Sequence, residues 1–201
     1  MLTTTLLLAA LTQTPAASCH QSGSSRACGY DCRAEFGEVR CAQTPAGFCT
    51  RIEGQLLCWD PPLEVQLHPI AFGKASCRSK YKDIACGYVC ASSENHLACA
   101  QTPFGVCTTR FDEVICWDPS PELIHHHLVN LASPGDLRGA SCVTTETAFD
   151  CGWDCKKSYQ GVQCAKTPAG TCSMLDGRIS CFDPPLPPIF HPLAAPALRG
   201  G

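Results

Sequence analysis

The sequence predicts a small disulfide-rich all-β protein: three tandem six-cysteine, β-meander-like modules on Pro-rich linkers. Three observations lead there. Cysteine supplies 18 of the 201 residues, about 9%, the level of a disulfide scaffold in an exported chain. The cysteines repeat the spacing C-x8-C-x3-C-x8-C-x7-C-x8-C three times without a slip. Turn-forming pairs fall midway between cysteines that a tight hairpin would bring opposite each other.

The chain opens with residues 1–18, which read as a secretory signal peptide. Leu2, Leu6, Leu7, Leu8, Ala9, Ala10 and Leu11 form a short apolar stretch, and Ala16, Ala17 and Ser18 supply small residues for cleavage. No Lys or Arg precedes the stretch, so the amino terminus alone provides positive charge. The stretch is shorter than the roughly 20 residues needed to span a bilayer, and no later segment is longer and apolar, so no transmembrane segment is expected. Ala16-Ala17-Ser18-Cys19 superficially resembles an acylation site. However, Ala75-Ser76-Cys77 and Ala140-Ser141-Cys142 repeat the triplet, which assigns it to the module. The expected location is secreted or extracytoplasmic, in a periplasm or at a cell surface.

Module 1 spans 19–60, with Cys19, Cys28, Cys32, Cys41, Cys49 and Cys58. A linker, 61–76, leads to module 2 at 77–118, with Cys77, Cys86, Cys90, Cys99, Cys107 and Cys116. A second linker, 119–141, leads to module 3 at 142–183, with Cys142, Cys151, Cys155, Cys164, Cys172 and Cys181. The Pro-rich tail is 184–201. Other residues repeat in step. Gly29, Gly87 and Gly152 follow the second cysteine, and Tyr30, Tyr88 and Trp153 come next. The fourth cysteine opens C-A-[QK]-T-P-x-G, and the sixth opens Cys58-Trp59-Asp60-Pro61, Cys116-Trp117-Asp118-Pro119 and Cys181-Phe182-Asp183-Pro184. Units of this size rarely bury enough apolar surface to fold unaided, and disulfides are the usual remedy. The Pro-rich linkers predict modules that unfold independently.

Within a module the turn signals predict hairpins. A two-residue turn at Glu53-Gly54 pairs residue 49 with residue 58 at a non-hydrogen-bonded site, where side chains are closest. Cys49–Cys58, Cys107–Cys116 and Cys172–Cys181 are therefore expected as cross-hairpin bridges. The same arithmetic around Phe36-Gly37 suggests Cys32–Cys41, Cys90–Cys99 and Cys155–Cys164. Elimination leaves Cys19–Cys28, Cys77–Cys86 and Cys142–Cys151. The rival is Cys41 with Cys49 across Thr44-Pro45-Ala46-Gly47; six cysteines allow 15 connectivities, and spacing alone leaves the choice open.

The pattern C-G-aromatic-x-C, C-A-x-T-P-x-G-x-C and C-W-D-P resembles cysteine-rich modules in predicted secreted bacterial proteins of unknown function. Phe182 departs from the Trp of that pattern. The resemblance implies export and disulfides, and it implies no activity, ligand or catalytic residue.

Candidate chemistry is sparse. His125-His126-His127 is a possible metal ligand set, but consecutive helical residues point about 100° apart. The run also occurs once, in a linker that reads as a short solvated helix capped by Ser120 with Pro121 at its first position and stopped by Pro134-Gly135. Thiolate zinc sites use matched short Cys pairs, and each module has only one. No Ser, His and Asp set recurs, so no catalytic residue, cofactor or metal is assigned. Asp60, Asp118 and Asp183 recur before Pro, where Asp commonly shapes a turn. Trp59, Trp117 and Phe182 either fill a small core or form a repeated contact surface. The net charge of −3, with no basic stripe, argues against nucleic acid. The expectation is a non-enzymatic, multivalent binding or structural protein whose partner is an unidentified extracellular protein or glycan. The alternatives are an inhibitor of secreted hydrolases and, behind it, a thiolate metal binder.

Overall fold

The computed structural model describes residues 16–66, 74–129 and 137–188. Residues 1–15 of the expected signal peptide, the expected helix stop at Pro134-Gly135 and the end of the tail lie outside them. The described chain is mostly β-strand, in short antiparallel sheets. It divides into two compact units, Met1–Pro61 and Pro62–Gly201.

The first unit is module 1. Strands β1 (Ser18–Ser22), β2 (Ser25–Glu35) and β3 (Glu38–Ala42) form a three-stranded meander, and β4 (Phe48–Ile52) pairs with β5 (Gln55–Trp59) as a separate hairpin. Each hairpin closes on a two-residue turn, and the registers place Cys19 opposite Cys28 and Cys49 opposite Cys58. Phe36-Gly37 and Glu53-Gly54 both have positive φ at the two central positions, as a type I′ turn requires. The three bridges of this module are Cys19–Cys28, Cys32–Cys41 and Cys49–Cys58, with Cα separations of 4.0–4.1 Å. Cys41 is bonded to Cys32 and not to Cys49: the pairing of β2 with β3 around Phe36-Gly37 sets 32 and 41 across from each other.

The second unit contains the other two modules. After α1 (Leu63–Gln66) come β6 (Ser76–Lys80), β7 (Asp83–Gly87), β8 (Cys90–Ser92), β9 (Leu97–Cys99), β10 (Val106–Arg110) and β11 (Glu113–Trp117). Helix α2 (Pro121–Val129) precedes β12 (Ser141–Thr144), β13 (Phe149–Ser158), β14 (Gly161–Ala165), β15 (Thr171–Leu175) and β16 (Arg178–Phe182). Bridges join Cys77–Cys86, Cys90–Cys99, Cys107–Cys116, Cys142–Cys151, Cys155–Cys164 and Cys172–Cys181, all nine residues apart. No free cysteine is found.

One residue explains why module 2 lacks the continuous second strand of its neighbours. Asp31 and Asp154 sit at bulges in β2 and β13 with φ of 39° and 42°. The bulge aims each carboxylate at the third hairpin, where it accepts a hydrogen bond from Cys49 N at 2.8 Å or Cys172 N at 2.7 Å. Hydrogen bonds from Lys156 and from Cys172 N lower the Asp154 pKa to about 2. Module 2 has Val89 at this position. A β-branched residue resists positive φ, and the strand breaks there into β7 and β8.

The recurring Asp of the C-[WF]-D-P motif is a clamp. Asp118 accepts hydrogen bonds from Gln101 N (2.9 Å), Thr102 N (2.8 Å) and Thr102 Oγ1 (2.7 Å), and Asp60 and Asp183 repeat the arrangement. Gly105 N closes the turn onto Thr102 O at 3.2 Å. A Cβ on Gly105 would collide with Asp118 Oδ1 and lie 2.5 Å from Ala100 Cβ. The Ala, the Thr, the Gly and the Asp of the repeat are thus one device. Asp118→Ala is expected to destabilise module 2 by about 2–3 kcal/mol, since charge-assisted hydrogen bonds are lost and the turn amides are stranded. Chemical denaturation against Asp118→Asn, which keeps an acceptor, checks it.

The second linker is not a solvated spacer. Leu123, Ile124 and Leu128 of α2 are buried with Leu137, Phe104, Trp153, Ala165 and Cys172 in one cluster. Trp117, Ala140 and Ile179 pack on its margin. Trp117 of module 2 meets Trp153 of module 3 edge to face, centroids 5.4 Å apart. Burying an aliphatic side chain gains about 1.5–3 kcal/mol, so a helix carrying three such residues docks rather than floats. The expectation of independent modules therefore fails between modules 2 and 3, which share this core. The helix start was legible: Ser120 Oγ accepts from Leu123 N at 3.3 Å, with Pro121 first in the helix.

Candidate interaction surface

The three positions after the sixth cysteine have three different environments. Trp59 is half-buried with its ring centroid 5.7 Å from Phe48. Trp117 is half-buried against Trp153. Phe182 is 63% exposed. The outer face of the third hairpin changes with it. Val106, Thr108, Ile115 and Trp117 in module 2 correspond to Thr171, Ser173, Ser180 and Phe182 in module 3, and all four of the latter are exposed.

The aromatics that face solvent most fully are elsewhere, on hairpin tips. Phe36, Tyr81, Phe111 and Tyr159 are 88%, 71%, 79% and 82% exposed. Phe36, Tyr81 and Phe111 also have positive φ, at 47°, 52° and 52°. A bulky side chain rarely adopts that conformation, and it costs on the order of 1–3 kcal/mol. The turns do not demand aromatics. The positions equivalent to Phe111 are Glu53 and Asp176, and those equivalent to Tyr81 are Gly23 and Glu146. Spacing reads Phe36 only as a turn residue; exposure singles out all four aromatics, and positive φ three of them.

Within each module the tips are tied together. In module 1, Arg51 lies over the Phe36 ring, 4.9 Å from its centroid. In module 2, Lys80 Nζ donates to Ser93 O, Ser93 Oγ donates to Asp112 O at 2.8 Å, and Asn95 Nδ2 donates to Asp112 Oδ2 at 2.9 Å. The Asn95 side chain holds the Asp112 pKa below its usual value. In module 3, the Tyr159 ring lies against Gly177, where a Cβ would come within 2.6 Å of it.

A groove runs between the second and third hairpins. In module 2 it measures about 620 Å³ and is lined by Asp83, His96, Leu97, Arg110, Phe111 and Glu113 among others. A groove of about 280 Å³ occupies the equivalent place in module 3, lined by Ser158, Gln160, Gln163, Arg178 and Ile179. In module 1 the corresponding Val39 and Leu56 are buried, and Arg40 stands where module 2 has Ala98. A third, apolar groove of about 310 Å³ separates α2 from Pro184–Pro187.

The histidine run is split by α2. His125 is exposed, His126 is buried with its Nε2 2.6 Å from Pro187 O, and the His127 ring meets Phe104 edge to face. Among the described residues no group of three His, Cys, Asp or Glu is arranged to hold a metal ion. The thiolate metal-binding alternative is corrected by the bridges: a disulfide sulfur is not a thiolate, and all 18 cysteines are bridged. Among the described residues no helix is long and apolar enough to cross a membrane. Nine disulfides mark an oxidising compartment. No protein family, characterised protein or solved structure matches the chain.

Proposed function

We propose that this protein is a secreted or cell-surface, non-enzymatic binding protein that presents aromatic hairpin tips in several copies. The observation that carries this reading is the set Phe36, Tyr81, Phe111 and Tyr159, exposed on turns where the repeat does not require them. A disulfide-braced hairpin supports such a contact because its tip is ordered before binding, which reduces the entropy lost on association. Several weak tips on one chain gain further through effective concentration. The short apolar N-terminal stretch and the resemblance to exported bacterial modules favour a bacterial envelope or its surroundings.

The test compares the intact chain with a variant carrying Phe36→Ser, Tyr81→Ser, Phe111→Ser and Tyr159→Ser, by retention on cell envelopes of the source organism. Single changes are expected to weaken retention modestly and the fourfold change to lower it by about 10²–10⁴, the range of avidity gains. Equal retention of the fourfold variant would remove the reading. Inhibition of extracellular hydrolases by the intact chain, lost in the same variant, would redirect it to the inhibitor alternative.

A further inference from the structure

We infer that the homologous grooves beside Phe111 and Tyr159 bind a neutral glycan, with a sugar ring stacked on the tip aromatic. This rests on the tip-binding reading above and names its ligand class.

The grooves lie at equivalent places in modules 2 and 3, between the second and third hairpins; Phe111 lines the first, and the exposed Tyr159 stands in sequence between Ser158 and Gln160, which line the second. Their linings differ in residue identity but agree in chemistry. Module 2 offers the carboxylates of Asp83, Asp112 and Glu113 with the guanidinium of Arg110 and the imidazole of His96. Module 3 offers a hydroxyl from Ser158, amides from Gln160 and Gln163, and the guanidinium of Arg178. What the two have in common is a mixture of donors and acceptors, not a sign of charge. Amides and hydroxyls have no preference for an ionic ligand, and in module 2 acids and bases are interleaved. A ligand dense in hydroxyls, each both donor and acceptor, satisfies both linings.

The aromatic supplies the other half. A sugar ring has an apolar face of C–H groups, and the electron-rich face of Phe or Tyr accepts it. Phe111 is placed for this: it is 79% exposed, and Arg110 lies 5.4 Å from its ring centroid. Arg110 is itself positioned, because its Nη2 donates to Glu146 O at 2.6 Å. The grooves are open to solvent, as a polymer passing through needs. A neutral polymer also suits modules whose own acidic and basic residues nearly cancel.

The experiment is affinity electrophoresis of the full chain in native gels cast with mannan, xylan, a β-glucan or an α-glucan. Polygalacturonate serves as an acidic comparison. At least one neutral polymer is expected to slow the wild type. Phe111→Ala should raise the dissociation constant by about tenfold, the loss of one aromatic contact, and Glu113→Ala should weaken binding without altering the disulfide map. Phe111→Trp should restore binding, which a merely structural role of Phe111 would not predict. Absence of retardation by every neutral polymer overturns the inference. So does retardation by polygalacturonate alone, or equal retardation of Phe111→Ala. If envelope retention still depends on the four tips while no glycan slows the chain, the glycan class falls and the binding reading stands. If neither depends on the tips, both fall.

Discussion

Replacing Trp153 by Ala is expected to cost about 3–5 kcal/mol and to loosen modules 2 and 3 together. That is the usual range for truncating a buried Trp. The ring is 7% exposed, stacks edge to face on Trp117 and lies in the cluster built by Leu123, Ile124, Leu128 and Leu137. Its indole N–H has no hydrogen-bond partner among the described residues, so its contribution is packing. Trp153→Phe should therefore retain most of the stability. Hydrogen exchange resolved by peptide is the readout. Amides of β10–β11 and of β13–β15 should lose protection in parallel, while those of module 1, in the other compact unit, keep theirs. Loss confined to β12–β16 would show that the two modules are energetically separate despite their shared core.

The second large effect is the removal of a bridge. Changing Cys49 and Cys58 together to Ser leaves no stray thiol and opens the third hairpin of module 1. The expected cost is about 2–5 kcal/mol, the usual range for removing a native disulfide from a small disulfide-stapled domain. It should be confined to residues 19–60. The same double change at Cys107 and Cys116 opens the hairpin that carries Trp117, whose ring packs on Trp153, and should lower protection in module 3 as well. Non-reducing peptide mapping of the wild type should return nine bridges, each joining cysteines nine residues apart. Recovery of Cys41 linked to Cys49 would overturn the hairpin framework. A Cys49/Cys58 variant of unchanged stability would show that strand pairing and the other two bridges hold module 1 without it.

Much of the local structure was legible because it is local. Eight residues between two cysteines, with Glu53-Gly54 at the centre, favour a register that sets Cys49 opposite Cys58, and the structure decides against the rival Cys41–Cys49 pairing that spacing left open. The Asp of C-W-D-P was read as a turn residue, which is near its role, but its partners lie 16 and 17 residues earlier at Thr44 and Gln43. No local rule reaches that far. The break at Val89 was also open to reading, since its counterparts are Asp31 and Asp154, but its meaning depends on a bulge that only the paired strands reveal.

By itself the sequence determined the threefold cysteine repeat and favoured local hairpins, because a hairpin depends on contacts within about ten residues, while the choice among cysteine pairings stayed open. The tertiary structure decided which linker would be buried. Pro-Glu-Leu-Ile-His-His-His-Leu-Val looks polar in one dimension, yet α2 turns Leu123, Ile124 and Leu128 inward and places His126 against Pro187 O. It also decided the fate of the repeated aromatics. Trp117 found a partner in Trp153, a residue 36 positions away, while Phe182 remained exposed. Equivalent positions of the repeat acquire different burial because burial is set by the neighbours that a module packs against, and a repeated sequence does not repeat its neighbours.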